Sequence, residues 1–259
     1  MSSHWLWLNF VMNNRLTKYN QYRFSVINRG TLQSLQQLFF QQTKHMKKFL
    51  LASLFAAFAF GVPAECEAKD ISKDPYRGYD ETVYMDMELE DNLKAPTVSK
   101  NEHNAVKSYM TRLGKDLAKK NYIVDLMRDD EVVLVTIPSD DIFLPNDTLL
   151  SPAAPAKLAP IISLLSDPYM FKVVYAVHTD NTGSPTYNMR LSHQRNNSIY
   201  DWLLEKISED QIVIPYEYGD TDPLGPNDSR EGRKENRRVE IFLIPGPKLI
   251  SSAQKGMLK

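Results

Sequence analysis

Apolar residues at Ala105, Val106, Tyr109, Met110, Leu113 and Leu117 recur at three- and four-residue spacing. That period predicts an amphipathic helix from a cap at Asn101 to about Lys120, with one face on a core. The pattern then changes: "YIVDLM" and "VVLVTI" flank the polar break "RDDE", which predicts a hairpin. "DIFLPNDTLLSPAAPAKLAPIISLLSD" opens as a loop and continues as a helix over "AAPAKLAPIISLL", in which Pro160 is expected at an early turn or a kink. "FKVVYAVH" has the β-branched content of a buried strand. Ser184 caps the next helix and Pro185 takes its first position, where a missing N–H costs nothing; the helix is expected to reach about Ile207. "QIVIPYEY" is a strand placed near an edge or a bulge by Pro215. A long loop, "GDTDPLGPNDSREGRKEN", leads to the last strand, "RRVEIFLI", and a Pro-Gly-Pro stop before a short polar tail, 248–259. The order is strand, strand, helix, strand, helix, strand, strand. Hairpins give antiparallel pairs and helical crossovers permit parallel ones, so the expected fold is α/β (α+β): a two-layer sandwich with a mixed β-sheet and helices on one face.

The N-terminal region follows a different logic. No Asp or Glu precedes Glu65. Within this stretch, "MKKFLLASLFAAFAFGVPAECEA" has two lysines, an apolar run from Phe49 to Phe60 and then small residues, the layout of a secretory signal peptide over 46–68. The run is about a dozen residues, short of the roughly 20 needed to span a bilayer. Cleavage after Ala64 and after Ala68 both fit, and Ala68 is preferred. A signal peptide works at the amino terminus, so residues 1–45 are expected to be an over-extended start upstream of Met46. Cys66 is the single cysteine, and cleavage after Ala68 leaves a mature chain without a disulfide. Glu65 stands where a lipoprotein needs a small residue. Residues 69–120 are expected to form a polar, acidic linker and the N-terminal helix, ahead of a domain over 121–247.

A net charge of -1 offers nothing to a nucleic-acid backbone. The basic cluster of Arg230, Arg233, Lys234, Arg237 and Arg238 is interleaved with Glu231, Glu235 and Glu240, which points to ion pairing and loop anchoring. His178 and His193 have no further close ligand set, so no metal is expected. No nucleophile–base pair appears either, so neither enzymatic activity nor a cofactor is expected.

The specific signal is "HTDNTGSPTYNMRLSHQR" followed by "YGDTDPLGPNDSREGRKENRRVEIFLIP". It resembles the OmpA-like peptidoglycan-binding domain family, in the form carried by OmpA family proteins of Bacteroides-type bacteria. In that family a strand ends in Gly-His-Thr-Asp, and Tyr-Asn-x-x-Leu-Ser-x-x-Arg follows on a helix. Gly-Tyr-Gly-Glu and Asn-Arg-Arg-Val-Glu come later. Here Val177 replaces the Gly, Asp220 the Glu and Asn196 a small apolar residue, while Pro145 and Asn146 stand where many relatives have Phe-Asp. Val177 is expected to crowd the pocket mouth.

The resemblance implies non-catalytic binding of the diaminopimelate residue of the peptidoglycan stem peptide, in the periplasm and in association with the outer membrane. It implies a ligand site at Asp180 and Arg195, with Asn188, Leu191, Thr179 and Asn146 around them. The chemistry is consistent: diaminopimelate carries an ammonium and a carboxylate on one carbon, suited to a carboxylate and a planar guanidinium. Asn188, Leu191 and Arg195 are spaced i, i+3 and i+7 and so share one helix face. The roughly 50 residues ahead of the hairpin are too few for eight membrane strands of about 9–11 residues, so the protein is expected either to be soluble in the periplasm or to be attached through an outer-membrane partner reached by 69–120. The alternative is a periplasmic assembly or interaction protein that keeps the fold and has lost wall binding.

Overall fold

The computed structural model describes Tyr76 and residues 78–258. The start at Met46, the signal peptide over 46–68, Cys66 and residues 69–75 of the linker lie outside the described residues. The elements are α1 (Glu81–Met85), α2 (Leu89–Lys94), α3 (Lys100–Ala118), β1 (Ile123–Met127), β2 (Val132–Pro138), α4 (Ala154–Ile162), β3 (Phe171–His178), α5 (Pro185–Leu204), β4 (Val213–Gly219), α6 (Arg230–Asn236), β5 (Arg238–Pro245) and α7 (Pro247–Gln254). The sheet order is β1-β2-β5-β3-β4. Among the described residues β3 and β4 pair in parallel, and the other neighbours in the sheet are antiparallel. The mixed α/β sandwich is therefore the fold, and Pro215 lies on its edge strand β4, where its missing N–H breaks no ladder.

Local chemistry explains the boundaries. The Ser184 hydroxyl accepts from Tyr187 N, and Pro185 opens α5, as its sequence predicts; the helix ends at Leu204. Ser99, not Asn101, caps α3, two residues earlier than expected. In α4 the first turn holds Pro155, while Pro160 lies near the C-terminal end, just before a 3₁₀ turn over Ser163–Ser166. Two short helices form where loop and tail are expected. Ser229 caps α6 inside the β4–β5 connection. In the tail, Leu249 and Ala253, four residues apart, give α7 a buried face, and α7 packs against α3.

The largest departure from the expected layout is the N-terminal arm. Strand side chains alternate between faces. On one face of the sheet Tyr175 donates its hydroxyl hydrogen to Asn196 O in α5. The other face presents Val132, Val174, Ala176, Ile214, Phe242 and Ile244, and it is covered by Tyr84 with Tyr79, Met85, Met87, Leu89 and Leu93. Residues 79–95, expected as an extended linker, are thus a third layer over the sheet. Their apolar residues are irregularly spaced because they sit on two helices of five and six residues joined by a turn, too short to show a period.

A polar knot fastens this layer. Fully buried Lys172 in β3 donates to Asn92 O at 2.6 Å and to Asn92 Oδ1 at 3.0 Å, with its ammonium 4.1 Å from the Tyr84 ring centre. Asn92 in turn donates to Tyr84 O and to the Tyr216 hydroxyl, which donates to Met87 O. Arg128, in the hairpin turn, donates to Leu93 O and Pro96 O and closes the end of the arm. Burial, reinforced by the Arg128 charge, pulls the Lys172 pKa down from 10.5 to about 7. Between about pH 7 and 10.5 the unfolded chain therefore holds a proton that folded Lys172 lacks, and stability rises with pH across that window. Urea denaturation of the wild type and Lys172→Met at pH 7, 8 and 9 is expected to show the wild type gaining on the variant as pH increases; parallel profiles would contradict this role for Lys172.

Candidate functional site

Three strand ends meet at one corner of the sheet. Antiparallel pairing sets Val177 of β3 against Val239 of β5, and Pro138 of β2 against Arg238. The residues just beyond these pairs are Asp180, Arg237 and Asp140. Parallel pairing with β4 adds Gly219, whose carbonyl accepts from Thr179 N at 2.7 Å. Gly219 has φ of +53°, and a Cβ there would lie 3.0 Å from Met189 N, so this crossing of β4 under α5 calls for glycine.

Asp180 is nearly buried. Its Oδ1 accepts from Thr182 N at 2.9 Å and from the Thr182 hydroxyl, and its Oδ2 accepts from Arg237 Nη1 at 2.8 Å. Burial pushes the carboxyl pKa up, but these hydrogen bonds and the Arg237 charge outweigh it and hold the group below its ordinary value. Arg237 also grips Asp140, through Nε at 3.2 Å and Nη2 at 2.8 Å. It therefore bridges two carboxylates, and its guanidinium is held more firmly charged than usual.

Arg195 projects from α5 and retains only 4% of its surface. Its Nε donates to Asp147 O at 2.9 Å, and its guanidinium carbon lies 4.8 Å from the Phe143 ring centre. Neither Nη group has a hydrogen-bond partner among the described residues, and neither is sealed from solvent. Burial lowers its pKa, opposed by the nearby Asp140 charge. The guanidinium is thus fixed by its inner edge and its face while its outer fork is available, a geometry suited to a carboxylate.

The other sequence-predicted residues have mixed placements. Asn188 donates to Gly183 O at 3.1 Å and Thr179 donates its hydroxyl hydrogen to Asp180 O, so both shape the turn that presents Asp180. Leu191 is buried on the inner side of α5. Asn146 is exposed at a loop tip with φ of +57°; its neighbour Asp147 makes the contact with Arg195. Val177 is fully buried in the sheet and presents no surface to the site, so the expected crowding does not occur. Sequence reasoning missed Arg237 and Asp140. The basic–acidic interleaving signalled ion pairs but not their partners.

The expected loop anchoring is carried by Asn236, which has no exposed surface. Its side chain accepts from Gly225 N and donates to Gly225 O and Asn227 Oδ1, and Asn227 Oδ1 also accepts from Asn181 N. On the arm-facing side, the His178 ring stacks on Tyr218 at 5.1 Å, while Arg238 pairs with Glu240 at 2.8 Å and Asp222 at 3.0 Å. Among the described residues no group of three or more His, Cys, Asp or Glu side chains is placed to hold a metal ion.

Residues 142–237 match the OmpA family. The probable lipoprotein YiaD of Escherichia coli is 30% identical over 122 residues, 47% of this chain and 56% of its own length. The peptidoglycan-binding protein ArfA of Mycobacterium bovis is 39% identical over 66 residues, 26% of this chain and 20% of its own. The chain thus spans little more than half of the lipoprotein and a fifth of ArfA. A solved structure, the cell wall anchor of the T6SS from Pseudomonas aeruginosa, is 25% identical with a TM-score of 0.44, covering 54% of this chain and 96% of its own.

Removing the Asn236 side chain deletes three partly buried hydrogen bonds. At roughly 0.5–1.5 kcal/mol each, Asn236→Ala is expected to lose about 1.5–4.5 kcal/mol. Urea denaturation measures the loss, and amide hydrogen exchange at Gly225 and Asn181 should speed up. A change within about 0.5 kcal/mol, the range of an ordinary surface substitution, would contradict this anchoring role.

Proposed function

We propose that this protein is a non-catalytic peptidoglycan-binding module that holds the diaminopimelate of the stem peptide between Asp180 and Arg195, a reading supported by the match of residues 142–237 to the OmpA family. The observation that carries the reading is the Arg195 fork: a nearly buried guanidinium, pinned at Nε and stacked on Phe143, whose two Nη groups have no partner among the described residues. A carboxylate satisfies such a fork with two parallel hydrogen bonds. Asp180 supplies the opposite charge for the ammonium on the same carbon. The name of ArfA, a peptidoglycan-binding protein, supports the same ligand class.

The module acts in the periplasm, tethering the outer-membrane side of the envelope to the wall. One stem peptide gives a weak contact, but the wall is a lattice of repeated ligands, so rebinding raises the apparent affinity. No described helix is long and apolar enough to cross a membrane. An outer-membrane partner would engage the outer faces of residues 79–95, since the inner faces cover the sheet. A second reading, an assembly protein that has lost wall binding, draws on Arg237, which already pairs with Asp180.

Sedimentation with purified sacculi separates these readings. The wild type is expected to pellet with the wall. Asp180→Ala and Arg195→Ala each remove a charge-assisted contact of about 1.5–3 kcal/mol and are expected to lose roughly ten- to a hundredfold in affinity. Equal pelleting of all three would sink the site assignment, and no pelleting of the wild type would favour the second reading.

A further inference from the structure

Arg237 pairs in an unexpected direction. A guanidinium beside a buried carboxylate ordinarily gives it the two-pronged fork, which is the stronger geometry. Here the fork, Nε and Nη2, goes to Asp140, whose side chain is 48% exposed, and only the lateral Nη1 reaches Asp180, whose side chain is 11% exposed. The backbone imposes this choice. Asp140 sits in a 3₁₀ turn, Ser139–Asp141, held against the start of β5 by Ser139 N donating to Arg237 O at 2.9 Å.

The consequence for Asp180 follows from its acceptor capacity. A carboxylate offers about four lone-pair sites. Thr182 takes two on Oδ1 and Arg237 takes one on Oδ2. We propose that Asp140 is a positioning residue of the ligand site: it holds the Arg237 fork away from Asp180 and so keeps one acceptor position and the negative charge of Asp180 available to a ligand ammonium. With Asp140 and Arg237 neutralising each other, Asp180 and Arg195 remain as two separate unlike charges, the complement of a zwitterionic carbon. Without Asp140, Arg237 turns its fork onto Asp180, the pair is neutral, and Arg195 is left to select a simple carboxylate. Asp140 thereby sets the preference for an amino acid over a plain acid. This inference rests on the ligand reading above and names a control within the same site.

The test uses the full chain, with meso-diaminopimelate and pimelate, its analogue without ammonium groups, as probes in calorimetry. Asp140→Asn is expected to weaken meso-diaminopimelate binding by roughly tenfold, about one pKa unit of interaction, and to leave pimelate binding undiminished. Asp140→Glu should restore the preference. In an Arg237→Gln background Asp140→Asn should have no effect on that preference. Carbon-detected NMR titration gives a readout without ligand: the Asp180 carboxyl pKa should fall further in Asp140→Asn, as the fork moves onto it. An unchanged Asp180 pKa, or an equal loss for both probes, overturns the proposal. If the wild type binds neither probe while the Asp180 pKa still falls in Asp140→Asn, the coupling is supported and the diaminopimelate reading fails.

Discussion

The antiparallel register between β3 and β5 is the constraint on which the site depends. It brings the start of one strand beside the end of the other, so Arg237 and Asp180 become neighbours although far apart in sequence. The β2–β5 register brings Asp140 to the same point. A slip by one residue would turn every side chain of a strand to the opposite face, exchanging Tyr175 and Val177 for Lys172 and Ala176 on the helical side. Burial on both faces of β3 makes that slip costly. The hydrophobic core thus fixes the geometry of three charged residues at the sheet corner.

The arm strengthens this constraint. A two-layer sandwich leaves one face of its sheet to water, whereas here residues 79–95 cover that face with aromatic and methionine side chains. Lys172 is the polar element inside this third layer, held by Asn92 and set over Tyr84. Its burial opposes its own charge, while its hydrogen bonds fix where the arm lies. Stability and position are therefore supplied by different groups: the apolar residues supply area, and the Lys172–Asn92–Tyr216 knot supplies register.

Much of this was legible in the chain. Apolar and β-branched runs located the strands, the 3.6-residue period located α3, and Ser184–Pro185 marked the start of α5. Asp180 and Arg195 stood out through the ordered motif around them. The arm was not legible, because two helices of five and six residues carry no measurable period and their acidic exterior reads as a linker. Asp140 and Arg237 were not legible as partners, because pairing across three strands depends on register, which a single strand does not encode. Val177 shows the converse: its position in the motif suggested the pocket mouth, but β3 is buried along its whole length, Val177 included.

In the proposed reading, Asp180 and Arg195 hold the two charges of one ligand. NMR titration of the protein with meso-diaminopimelate, following the Asp180 carboxyl carbon and the Arg195 Nε–H in the same samples, tests it most directly. Both signals are expected to shift along a single isotherm with one midpoint. Movement of only one of them, or two different midpoints, would show that the residues do not share a ligand.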